Sequence, residues 1–212
     1  MLRKYVLLSA FLVLSFLSCH TMAAVVGYTF TGSVNEVGQP VFGISPAIGS
    51  AVTGRFTFDT TLAPTNVTSF SAHYQIYVPY ELEAFIDGKR IQSDGFFGVD
   101  VQNDFGGNVE DTLFVGSQPA IVDGIQTLDG VFSLSFASTN PNTFADTGLP
   151  AYLNLSDFDA WHYGTFTRAG NNFEIIQFSI DSITAVPVPA SWIMLLSGLG
   201  IFVTAARRKL RV

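Results

Sequence analysis

Apolar and polar residues alternate with a period of two along most of the chain between residues 25 and 186. Val26, Tyr28 and Phe30 alternate with Gly27, Thr29 and Thr31, and Phe56 and Phe58 with Arg55, Thr57 and Asp59. The same rhythm runs through Tyr74, Ile76, Val78, through Leu82, Ala84, Ile86, and through Phe97, Val99, Val101. It returns in Phe132, Leu134, Phe136 and in Ile176, Phe178, Ile180. A period of two sends successive side chains to opposite faces, so each run predicts a strand with one buried face. Asp-Gly pairs at 87–88, 94–95, 123–124 and 129–130 predict tight turns, because both residues tolerate positive φ. No stretch before the tail holds a 3.6-residue period over three turns. Seventeen of the 20 Phe lie in this region, bulk enough to fill the space between two sheets. The pattern predicts an all-β fold, an antiparallel β-sandwich of about eight to ten strands, with a jelly roll as one form open to it. Two longer connections, 37–50 and 137–150, are candidates for a binding rim.

The ends follow a different pattern. Arg3 and Lys4 precede an apolar run from Tyr5 to Leu17, and Thr21-Met22-Ala23 offers small residues for a cut before Ala24. This is the build of a cleavable signal peptide over 1–23, which implies export through the Sec machinery. Ser18-Cys19 leaves lipidation of Cys19 as a second processing route. Cys19 is the single cysteine, so cleavage before Ala24 leaves a body over 24–185 without thiols or disulfides. A domain of this length buries enough surface to fold without them.

At the other end, Val186-Pro187-Val188-Pro189-Ala190 begins a stretch that cannot be helical, and Ala190–Ala206 is an uncharged run near the lower limit for a membrane-spanning helix. Arg207, Arg208 and Lys209 follow it, and the positive-inside rule keeps them cytoplasmic. Physics alone predicts a body outside the inner membrane on a single C-terminal transmembrane helix. The order of parts over 186–212 resembles the PEP-CTERM sorting signal of Gram-negative bacteria, carried by Val186, Pro187, Pro189, Ala190, Arg207, Arg208 and Lys209. It departs from the family's commonest motif at Val188, where that motif has Glu. The resemblance implies processing by an exosortase-type enzyme. It also implies an inner-membrane-anchored intermediate and delivery to the cell surface or the extracellular polymer matrix of a biofilm.

Charge narrows the partners. Between Ala24 and Val186 four basic residues stand against all 17 acids, a formal balance of −13. Such a body repels phosphate backbones, which excludes nucleic acid as its partner. With 48% hydrophobic and 13% charged residues, disorder is excluded as well.

Candidate chemistry is sparse. His73 and His162 are the imidazoles of the body, and no Gly-x-Ser-x-Gly elbow supplies a nucleophile. Glu81 and Glu83, two apart on one strand, share a face and read as an acidic solvent face rather than as a glycosidase pair. Calcium is the cofactor the composition suggests. Asp100, Asn103, Asp104, Glu110 and Asp111 crowd a turn containing Gly106 and Gly107, although the spacing is not that of an EF-hand. Asp157 and Asp159 with Trp161 and Tyr163 resemble a glycan-binding surface, acidic groups beside rings that can stack on sugars. With no catalytic set converging, the expectation is a non-enzymatic surface or matrix protein with a structural or adhesive role. The alternative is a carbohydrate-binding module or weak glycan hydrolase acting on exopolysaccharide.

Overall fold

The computed structural model describes residues 25–104 and 111–186. The expected signal peptide and the expected transmembrane helix lie outside the described residues. Among the described residues no helix is long and apolar enough to cross a membrane.

The chain is all-β and antiparallel. Its strands are β1 (Val25–Val37), β2 (Ala51–Asp59), β3 (Asn66–Val67), β4 (Ser71–Tyr77), β5 (Leu82–Ile86), β6 (Lys89–Ser93) and β7 (Phe96–Gln102), then β8 (Asp111–Ser117), β9 (Ala120–Val122), β10 (Ile125–Thr127), β11 (Gly130–Ser138), β12 (Trp161–Arg168) and β13 (Asn171–Val186). They form one 13-stranded sheet in the order β10-β9-β6-β5-β2-β1-β13-β12-β11-β8-β7-β4-β3. Hydrogen bonding is therefore unbroken where two separate sheets were expected. The layers arise because the sheet curls, so that β11 comes to lie against β6 and β9, with which it does not pair. The chain changes wing after β2, β4, β6, β8 and β10, laying hairpins alternately on the two sides of the β1–β13 seam.

The inward residues of both wings merge into a single hydrophobic core. Its seam shows how ring size is accommodated. Phe30 lies opposite Gly54, and Phe178 opposite Gly164. The two rings stack with centroids 6.2 Å apart and planes within 5°. A Cβ at Gly54 would come within 2.2 Å of the Phe30 ring, and one at Gly164 within 2.1 Å of Phe178. The glycines leave room for each ring to lie flat on the neighbouring strand.

Every run of alternation lies in or against a strand, with one correction at its end. Val78 falls beyond β4 and is 71% exposed, because the chain turns there through a cis Val78–Pro79 bond. Of the Asp-Gly pairs, 87–88 and 123–124 close the β5–β6 and β9–β10 hairpins with positive φ at both residues. Asp94-Gly95 instead leads from one wing to the other, and Gly130 is the buried first residue of β11.

The two long connections cap opposite ends of the core. In 38–50, Val41 and Ile44 are buried and Phe42 packs its ring 5.8 Å from Phe166. In 139–160, Phe144, Leu149, Leu153 and Phe158 are buried, and Tyr74 donates its hydroxyl hydrogen bond to the Thr147 carbonyl. Both segments read as plugs rather than as rims.

Candidate functional site

The two outer faces of the curled sheet differ in chemistry. On the β2–β5–β6 wing, the Glu83 side chain is only 6% exposed because two guanidinium groups enclose it: Arg55 Nε at 2.6 Å and Arg90 Nη2 at 2.5 Å. Arg55 also reaches Glu81 at 2.7 Å. The expected acidic solvent face is thus a mixed-sign ladder across three strands. Both carboxylates are spent on arginines in charge-assisted pairs. A shallow cleft of roughly 200 Å³ lies beside it, lined among others by Tyr80, Glu81, Glu83, Arg90 and Gln92.

On the other wing, the outward positions of β4, β7, β8, β11 and β12 hold Ser, Thr, Gln, Gly and aromatic residues together with Val131 and Ala137, with Asp100 as the one carboxylate and no Lys or Arg. Trp161 is here, 39% exposed, its indole Nε1 donating to Ser135 Oγ at 3.1 Å on the adjacent strand. Tyr163 stands two residues along the same face, opposite Ser135 and Ser179.

The structure separates the acids of the 157–163 segment from its rings. Asp157 sits in a 3-10 turn, Leu155–Asp157, and accepts hydrogen bonds from Asn154 and Ser156. Asp159 accepts from the Thr139 hydroxyl at 2.6 Å and amide at 2.7 Å, and from Ser138 Oγ at 3.3 Å. Those donors hold its carboxyl below the usual value against the opposing pull of desolvation. Both acids therefore pin the connection between β11 and β12, while Trp161 and Tyr163 face outward.

The acidic turn is divided in a similar way. Asp111 is fully buried and accepts backbone amides on both oxygens, Asp104 N at 3.0 Å and Phe144 N at 2.7 Å. Asp100 Oδ1 meets His73 Nδ1 at 2.8 Å. Asn103 Oδ1 is buried without a hydrogen-bond partner, and Glu110 lies outside the described residues. Among the described residues no three His, Cys, Asp or Glu side chains converge to hold a metal. His162 donates from Nδ1 to the Ile180 carbonyl at 2.7 Å.

The last strand leads to the remaining candidate. β13 ends at Val186 while still paired with β1, so the Pro-x-Pro segment starts directly from the centre of the sheet. Residues 185–209 match the PEP-CTERM protein-sorting motif. The chain carries an exosortase sorting signal. The PEP-CTERM motif implies processing by an exosortase-type enzyme and, with it, export to the cell surface or beyond. No curated protein and no solved structure matches the chain. The PEP-CTERM residues named from the sequence beyond Val186 lie outside the described residues.

Sequence reasoning overlooked Phe114, the Arg55–Glu83–Arg90 ladder, and the pairing of Gly98 with Gly116. Phe114 had a signal: it stands out of phase between Leu113 and Val115, an aromatic on the outward beat. The others depend on strand neighbours far apart in the chain.

Proposed function

We propose that this is an exported, non-enzymatic surface or matrix protein. A signal peptide takes it through Sec, and its PEP-CTERM tail holds it at the inner membrane until an exosortase-type enzyme processes it. The β body then serves a structural or adhesive role among extracellular polymers. The observation that supports this reading is the sorting motif matched at residues 185–209, whose first residues, Ala185 and Val186, pair with Tyr28 and Gly27 of β1. On the body's outer faces, Glu83, Glu81 and Asp159 are committed to structural partners rather than left poised for proton transfer.

Mass spectrometry of both ends of the protein, recovered from native cells and from their medium, tests the reading. An N-terminus at Ala24 and a C-terminus lost between Pro187 and Ser191 are expected. A tail intact through Val212 in the membrane fraction would leave a plain membrane anchor.

A further inference from the structure

The wing poor in charge carries more than scattered aromatics. Three rings come from every second strand of this wing, Trp161 from β12, Phe114 from β8 and His73 from β4. The Trp161 indole leans from β12 over β11 to reach Ser135, and Ser135 stands directly opposite Phe114 of β8. The Phe114 ring folds down over Gly116, where a Cβ would come within 2.6 Å of its edge. Gly116 is paired with Gly98 of β7, and there the His73 ring, tied by Nδ1 to Asp100, lies within 3.0 Å of where a Cβ would be. The paired glycines remove the side chains that would tilt these rings upright. Each ring keeps part of its surface in solvent. Trp161 is 39% exposed, Phe114 40%, and the His73 side chain 37%.

We infer that this line of rings is a platform for a neutral polysaccharide chain lying across the strands. A pyranose ring presents a flat face of C–H groups, and these stack on the negative face of an aromatic ring. Adjacent strands are about 4.8 Å apart, so residues on every second strand stand roughly 10 Å apart, a spacing at which one extended sugar chain can set alternate sugars on successive rings. A hydroxyl and an amide flank it for the polar edges of the sugar: Thr165, oriented by its 2.8 Å bond to the buried Ser133, and Gln75. The charge pattern selects the partner. The body is strongly acidic, yet the two carboxylates at this face are both engaged, Asp100 by His73 and Asp181, on neighbouring β13, by Ser179. An anionic polymer would be repelled by the body as a whole, and a cationic one would find no acidic row here. A neutral chain meets rings and hydroxyls without desolvating any charge.

This inference rests on the proposed surface role only for where such a chain would be met, and its test is independent of sorting. The full-length chain, held in mild detergent, is sedimented with microcrystalline cellulose, xylan and mannan as neutral probes and with alginate as a charged one. Retention on at least one neutral polymer and none on alginate is expected. Phe114→Ala and Trp161→Ala should each weaken retention about three- to tenfold, the equivalent of one stacked ring. Phe114→Tyr, which keeps the ring, should retain it, and Asp157→Asn on the loop should leave it unchanged. Both alanine substitutions are at half-exposed positions, and a melting curve superimposable on the parent's verifies folding. Absence of retention on every neutral polymer would overturn the inference, as would equal binding to alginate or full binding by both folded alanine variants. Protein that sorts normally yet binds no glycan would sink this inference alone. Protein that binds while its tail stays uncut would sink the sorting proposal alone.

Discussion

Val186 stands opposite Gly27 in the antiparallel ladder between the last strand and the first. The sorting motif, matched from residue 185, therefore overlaps β13, and any processing cut has a structural limit. A cut beyond Val186 leaves β13 whole, whereas one before Ile183 strips Ile183 from Phe30 and Ala185 from Tyr28.

A chain ending at Val186 should accordingly melt as the longer one does. One ending at Ile180 should lose several ladder hydrogen bonds worth about 1 kcal/mol each, lowering the melting temperature by roughly 5–10 °C. Paired thermal melts by circular dichroism check this.

Asp111 joins the start of β8 to the 139–160 plug through the amides of Asp104 and Phe144. Asp111→Asn replaces one accepting oxygen with a donor facing a buried amide. It should destabilise the protein by about 2–3 kcal/mol, the scale of a lost charge-assisted bond with a donor left unsatisfied. Urea unfolding should show a lower midpoint at unchanged slope.

Gly164 has no room for a side chain unless its neighbours move. Its Cβ would lie 2.1 Å from the Phe178 ring, which is itself stacked on Phe30. Gly164→Ala should cost about 1–3 kcal/mol through overpacking. The companion Gly164→Ala/Phe178→Leu should recover part of that loss, and a double-mutant cycle of unfolding free energies measures the recovery.

Acid should loosen the plug before it unfolds the sheet. Thr139 and Ser138 depress the Asp159 carboxyl, so its contribution is complete above the ordinary carboxylate range. It fades as pH falls through the depressed folded-state value, below 3.8. Burial pushes the Asp59 carboxyl up, but hydrogen bonds from Thr61 and Tyr80 outweigh it and lower the value, adding loss in the same window. Proteolysis within 139–160 should rise first, and Asp159→Asn should show that sensitivity already at neutral pH.

Alkali should act through Tyr28. Burial raises its phenol from 10.0 to about 12, against a smaller opposing contact with the Leu153 backbone. A phenol raised on folding lends stability that is whole below pH 10 and is lost as pH climbs from 10 to 12. Tyr28→Phe should flatten the decline of melting temperature across that window.

Several parts of the molecule were legible in its residues alone. Alternation places Phe97, Val99 and Val101 inside, because a strand's side-chain period is two whatever it pairs with. Asp87-Gly88 and Asp123-Gly124 turn as their φ tolerance predicts. Asp129-Gly130 shows the limit of that reasoning: the same dipeptide begins a buried strand, since neighbouring strands decide what a permissive residue does. Short strands such as β3, β9 and β10, of three residues or fewer, are too brief to show a period.

The sequence by itself determined the all-β class, the acidic body, and the tail that matches a sorting motif, because these depend on local order and on counting. Only the tertiary structure decided which acids are spent and which rings are offered. Glu83 is neutralised by arginines 28 positions before it and 7 after it. Trp161, Phe114 and His73 come into line only because β12, β11, β8, β7 and β4 lie side by side in one sheet. Cross-strand neighbours are set by register, and register belongs to the whole curl rather than to any one segment.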